Sequence, residues 1–385
     1  MKKLFDSLGI FPVSTGEKCA RPSNRLPLLF AAFVILLSFV TIARAQNVVI
    51  NEIMFHPASH DPREEYVELY NAGATNVDLS GWRFTKGIKF SIPSNTVLTA
   101  SNYLVIAGNA QSFTNKYPAV ANFVGDFVVV RMTNVVGFTY TNYENSLSNT
   151  RDTLKLENAA GNTVDSLTYA DEGDWAVRQR GTVDRGYQGW TWLSTADGLG
   201  KSLELKNSTL PNDSGQNWAS SITFNGTPGR ANSVASANIA PLVLNVAHSP
   251  IVPLPTDNIA VTARIIDELP NPTGRLFWRV NNGAPPGFTS AAMFDDGAHS
   301  DGLSGDGIYG AVIPAHFDGT IVEFYVEAED SFSETNTWPR PAVDTDGVTV
   351  LNRASFSVNA LFQVDTGGPT NSAPYYKVIL TPSEE

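Results

Sequence analysis

The chemistry-bearing residues of this 385-residue chain crowd most densely between Phe294 and Tyr309, where Asp295, Asp296, Asp301 and Asp306 are interleaved with Gly297, Gly302, Gly305 and Gly307. A calcium ion takes about six to eight oxygen ligands, and glycines let backbone carbonyls turn inward beside carboxylates. The four aspartates are therefore a candidate calcium loop, although their spacing is not that of an EF-hand. The same residues also suit a run of Asp-Gly turns, in which each Asp accepts from nearby backbone and each Gly supplies a positive φ. Both readings stand at the level of sequence. Asp344-Thr345-Asp346-Gly347 is a shorter acidic turn of the same kind.

Other residues offer less. Of five histidines, His56 and His60 are four apart, but Pro57 and Pro62 make the segment a loop. The spacing then loses the meaning it has on a metal-binding helix. Glu52 and Glu68 lie in two strand-like runs. They read either as cation ligands or, in the simpler reading, as solvated side chains or partners of Lys and Arg on neighbouring strands. Trp175, Tyr187, Trp190 and Trp192 sit among glycines. They suit either stacking on sugar rings or packing beneath a long connection. Cys19 is the sole cysteine and precedes the first apolar run, so thiol chemistry has no place in the folded part. No nucleophile elbow, phosphate-cradling glycine loop or dinucleotide fingerprint occurs. The chain is expected not to be an enzyme.

The elements that must position these residues are strands. The 30 glycines and 23 prolines, with 10% aromatic residues, indicate a β-rich chain with many turns. Basic residues up to Arg25, an apolar run from Leu26 to Ala43 and the Ala43-Arg44-Ala45 cleavage signal make residues 1–45 a signal peptide. Export is therefore expected, to a secreted or cell-surface location. The membrane is met only in transit, unless the segment stays uncleaved as an anchor. Its removal leaves 20 basic and 36 acidic residues, a net charge of −16. That surface repels phosphate backbones and argues against a nucleic-acid partner.

Residues 46–233 read as short alternating strands. They include Val48 to Met54, Glu65 to Asn71, and a third run through Gly81-Trp82 in which Trp82 enters the core. A hairpin turns at Ala159 to Asn162, between Thr153 to Asn158 and Thr163 to Tyr169. Asn51 and Asn71 are expected to bridge backbone groups at strand ends. Residues 108–150 read as a long excursion. A linker at 234–240 leads to a second strand-rich domain at 241–359, with Trp278 in its core. Its longest strand runs from Ile321 to Asp330, placing Val322, Phe324, Val326 and Ala328 on one side. The fold class is all-β: two tandem immunoglobulin-like β-sandwiches behind a signal peptide.

Several runs carry a resemblance. Val49-Ile50-Asn51-Glu52-Ile53, Glu65 to Asn71, Val77 to Trp82, Asp152 to Tyr169, Gly200 to Leu205, Asn217 to Ser221, Gly226-Thr227-Pro228-Gly229 and Ala231-Asn232-Ser233 together resemble the bacterial lamin-tail domain, an immunoglobulin-like sandwich. The second domain resembles a fibronectin type III or immunoglobulin-like module. Pro374 to Glu385, within a C-terminal tail at 360–385, resembles the opening of a CotH kinase-like domain. The resemblance implies a non-catalytic adhesion or scaffold module whose partner is a protein or a cell-surface glycan. Two other readings stay open. One is the accessory front of a CotH-type protein. The other is the carbohydrate-targeting region of a secreted hydrolase.

Overall fold

The computed structural model describes residues 48–135, 138–281, 287–356 and 358–366. The expected signal peptide and the CotH-like run from Pro374 onward lie outside them. The chain is nearly all β, with 44% strand and 5% helix, arranged as immunoglobulin-like sandwiches. Among the described residues no helix is long and apolar enough to cross a membrane.

The first sandwich is built on a six-stranded sheet in the order Trp218–Ser220, Leu203–Leu205, Val48–Met54, Tyr66–Asn71, Tyr103–Ala107, Phe123–Gly125. The second sheet runs Thr163–Ala170, Arg151–Glu157, Arg83–Lys86, Phe90–Ser91. Alternation explains the pairing. Ile50, Val67 and Leu69 of the larger sheet meet Leu154, Leu156 and Leu167 of the smaller in one buried core, with Trp82 at 5% exposure among them. Gly81, at φ +73°, makes the turn that sends Trp82 inward. The expected hairpin is present, closed by Asn158 N–H to the Asn162 carbonyl at 2.9 Å. Asn71 bridges backbone as expected, donating to the carbonyls of Thr75, Leu98 and Thr99.

Residues 108–150 form more than a loop. A short helix, Ala110–Lys116, is capped by the Asn109 side chain, which accepts from Ser112 N–H at 3.0 Å, and it buries Phe113. A two-stranded ribbon follows, Val129–Val135 against Phe138–Glu144, with its described side chains exposed. A second inserted hairpin, Val177–Asp184 with Tyr187–Leu193, occupies the glycine-rich region.

The second sandwich packs the sheet Leu242–Ser249, Ile259–Ile266, Ile308–Ile313 against Thr289–Met293, Thr273–Val280, Ile321–Glu329, Thr335–Trp338. Val322, Phe324, Val326 and Ala328 share its core with Trp278, as the alternation required. The expected boundary at 359 is too early. Ala360–Gln363 pairs with Ile321–Glu329, and Phe362 and Val364 are buried in the core, because the alternation of apolar residues continues there. The two sandwiches are closely joined. Gln216 donates to the Val243 carbonyl at 2.7 Å and accepts from Val243 N–H at 2.8 Å and Asn336 at 2.9 Å. The inserted hairpin pairs in parallel with Ala342–Val343.

Candidate functional site

Three glutamates stand in one row across adjacent strands of the large sheet, on the face turned away from the main core. Glu52 lies opposite Glu204 on one side and Glu68 on the other. Like charges placed directly opposite destabilise a sheet, so this row needs a compensating environment. A bulge between Ile50 and Glu52 lets the strand shift register there. All three side chains have 0% exposure. The simpler sequence reading, that Glu52 and Glu68 are solvated or paired with Lys and Arg, is overturned. The reason is the segment from Thr223 to Ser236, which folds across the sheet as a strap.

The strap supplies donors. Glu52 Oε1 accepts from Thr227 N–H at 2.8 Å, Ser202 Oγ at 2.6 Å and Tyr66 Oη at 2.7 Å. Glu68 accepts from Gly229 N–H at 2.5 Å and Asn51 Nδ2 at 2.9 Å. Glu204 accepts from Thr227 Oγ1 at 2.7 Å, Ser233 Oγ at 2.6 Å and Val234 N–H at 3.1 Å. Asn51 does not cap a strand end by bridging backbone. Its amide spans Glu68 and the Asn232 side chain, while Asn232 returns a bond to the Asn51 carbonyl at 2.9 Å. Gly226, at φ +76°, admits the strap: a Cβ there would lie 2.2 Å from Glu52 Oε1. Burial, and then the Glu204 charge, push the Glu52 carboxyl up to about 7 against the pull of its donors. Burial and Glu52 raise Glu68 well above the usual carboxylate range. Nearby Glu65 is pushed up to about 9 by burial, against one bond from Leu147 N–H. Glu52 Oε2 is buried without a partner. The row is thus an internal clasp, its oxygens directed to protein donors with the exception of Glu52 Oε2.

The aspartate loop shows the same economy of carboxylates. Asp301, 1% exposed, accepts from the N–H groups of Asp296 at 2.6 Å, Gly297 at 2.8 Å and His299 at 3.1 Å. Asp295 accepts from Gly305 at 2.7 Å, Asp306 at 3.2 Å and Gly307 at 2.9 Å. Asp306 accepts from Leu303 at 3.0 Å and Ile308 at 2.9 Å, and Asp296 from Ala298 at 2.9 Å. Gly297, Gly302, Gly305 and Gly307 all have positive φ. The Asp344 to Gly347 turn is built likewise, Asp346 accepting from Val348 and Thr349 N–H. Among the described residues, no three His, Cys, Asp or Glu side chains converge in a way that could hold one metal ion.

The tryptophans separate. Trp175 is half-buried, 5.6 Å from the core ring of Trp218. Trp190 and Trp192 are 38% and 45% exposed on the inserted hairpin, two residues apart and so on one face. The Arg178 guanidinium lies 4.8 Å over the Trp190 ring. At the junction of the two sandwiches a cavity of about 550 Å³ is lined by Trp175, Trp338, Glu172, Asp213, Arg151 and Arg264, among others.

His56 and His60, which a loop was expected to keep apart in meaning, come together. His56 Nδ1 meets Asp197 Oδ1 at 2.5 Å, and His56 Nε2 faces His60 Nδ1 at 2.7 Å. No sequence period signals this. Asp197 is 141 residues away and arrives through a bridge between His56 and Asp197.

Residues 41–171 match the family model for the Lamin Tail Domain. The structure ties Leu203–Leu205, Trp218–Ser220 and the strap, all beyond that range, into the same sandwich. Among curated proteins none matches the chain.

Proposed function

We propose that this chain is a non-catalytic exported module, a scaffold or adhesin fronted by a lamin-tail sandwich, whose partner is a protein or a cell-surface glycan. The supporting observation is the burial of the acidic row. Glu52, Glu68 and Glu204 are sealed under the strap and bonded to protein donors, so the most chemical-looking row of the lamin-tail stretch closes a fold and faces no substrate. Beyond that row, exposed apolar side chains include Phe317, Leu303 and Ile251 on loops, and two inserted ribbons each carry several of them. Met132 is 74% exposed, Phe138 69% and Tyr140 54% on the first, with Trp190 and Trp192 on the second. Large exposed apolar side chains gathered on projecting elements are what interaction surfaces display.

The experiment is retention of the labelled, exported chain on whole cells. Met132→Ala/Phe138→Ala/Tyr140→Ala and Trp190→Ala/Trp192→Ala are expected to lose retention while keeping the parent melting curve. Equal retention by both variants and the parent would refute the reading. A carbohydrate-targeting role is the second reading, favoured by Trp190 and Trp192. Aromatic rings on one face at a two-residue interval stand about 6.5 Å apart along the strand, a spacing suited to successive sugars. Pull-down on insoluble polysaccharide, lost in Trp190→Ala/Trp192→Ala alone, would single it out.

A further inference from the structure

His56 and His60 lie outside both the clasp and the ribbons, and their arrangement has a chemistry of its own. The loop that carries them is well braced. His60, at φ +55°, closes a turn with its N–H on the Pro57 carbonyl at 2.9 Å. Ser59 Oγ donates to Glu64 at 2.8 Å, and Asp61 holds Arg63 at 2.6 Å. Both imidazoles rest against Gly198, whose missing Cβ would stand 3.1 Å from His56 Cε1 and 3.2 Å from His60 Cε1. The His56 side chain is 17% exposed, whereas His60 is open to solvent.

We propose that His56 and His60 form a two-nitrogen site for a borderline divalent transition-metal ion of the zinc class, with Asp197 as the residue that orients His56. The argument starts at Asp197. Its carboxylate accepts from His56 Nδ1, which assigns the ring proton to Nδ1 and leaves a lone pair on Nε2. That lone pair points at His60 Nδ1, 2.7 Å away. A carboxylate on the far nitrogen of a ligating imidazole is the usual outer support of a histidine–zinc bond. Tetrahedral zinc at about 2.1 Å from each nitrogen separates the two by about 3.4 Å. The opening needed is about 0.7 Å, and the exposed His60 ring is free to swing by that amount. Its proton passes from Nδ1 to Nε2, so a neutral ring ligates without net proton release. Two imidazoles select zinc, nickel or copper over calcium and magnesium, which want oxygen. Since no third His, Cys, Asp or Glu of the described residues joins them, the remaining positions belong to water, and the site is open and exchangeable.

The test uses the full chain, stripped with chelator and titrated with zinc against a chromophoric competitor at neutral pH. His60→Ala is read against the parent. The difference between the two, rather than total uptake, is the measured quantity, which removes any contribution from Cys19. One equivalent of zinc bound at least tenfold more tightly by the parent is expected. A second expectation is Asp197→Asn, which keeps its shape but loses its charge. It should weaken zinc about 10–100-fold with an unchanged melting temperature and unchanged stoichiometry. Excess calcium should not compete. Equal zinc affinity in His60→Ala and the parent, or competition by calcium, would overturn the proposal.

Discussion

Replacing Glu52 by Gln keeps the acceptor that receives Thr227, Ser202 and Tyr66 and removes only the capacity to ionise. Burial and the facing Glu204 lift the Glu52 carboxyl from 4.5 to about 7. Between those two values the folded chain holds a proton that the unfolded chain has released. Stability from the neutral acid is therefore complete below the unfolded value. It declines as pH rises through the interval and is lost above about 7. The interval corresponds to about 3 kcal/mol. Near pH 5 the parent and Glu52→Gln should agree within about 1 kcal/mol, because an amide N–H then stands where an acid O–H stood, each without a partner. At pH 8 to 9 the Gln chain should be the more stable by about 2–3 kcal/mol. Glu65, pushed up to about 9, adds a slope of the same sign, but it is common to both chains and cancels in the difference. Urea titrations of both full chains across this range, followed by tryptophan fluorescence, measure the quantity directly. A difference independent of pH, or a Gln chain less stable at high pH, would show that Glu52 is charged in the fold and that the clasp is misread.

Five further outcomes are expected. Gly226→Ala should cost about 3 kcal/mol or more, since the strained φ combines with a Cβ placed against Glu52 and Tyr66 Oη, and a lowered melting temperature reports it. Glu323→Ala should cost about 3–5 kcal/mol, because it leaves Arg279, with its side chain 2% exposed, without its buried carboxylate. Chemical unfolding of the second sandwich is the readout. Gln216→Ala frees both backbone groups of Val243 and removes one of the two acceptors of the Asn336 amide, which keeps the Pro241 carbonyl. It should separate one calorimetric transition into two, at a cost of about 2–3 kcal/mol. Removing calcium with EGTA should leave the melting curve unchanged, since the loop aspartates already serve as turn acceptors; a marked drop would favour the calcium reading. In the same loop, bonds from Gly297 and its neighbours hold the Asp301 carboxyl below its usual range. Its contribution is present at neutral pH and is lost as pH falls through that lowered value.

Alternation carried most of the fold. Val67 and Leu69, or Phe324 and Val326, show their inward face by period alone, and Gly81-Trp82 shows its turn and its anchor. What alternation cannot show is whether the other face meets water. Glu68 looks like a solvated outward residue because its neighbours in sequence say nothing of the strap, which arrives from Thr227 to Val234. The glycines and asparagines of that strap were visible as motif residues, but their roles depend on donors meeting acids some 160 to 175 residues away. The ribbon at 129–144 escaped for a different reason. Its strands pack on no core, so selection for burial leaves no period in Val129–Val135. The meeting of His56, His60 and Asp197 had no local signal either, since a bridge between distant loops makes it.

The parallel pairing of Arg178 and Gln179 with Ala342 and Val343 changes what counts as a unit of inheritance in this chain. A strand inserted in the first sandwich completes a sheet whose other edge belongs to the second, and Arg178 also reaches the Val358 carbonyl. A protease cut in the connecting stretch would therefore leave two pieces that remain associated. A gene fusion that kept the first sandwich while exchanging the second would expose an unpaired strand edge. The hairpin is a splice between the two modules, and it makes separate reuse of either one costly.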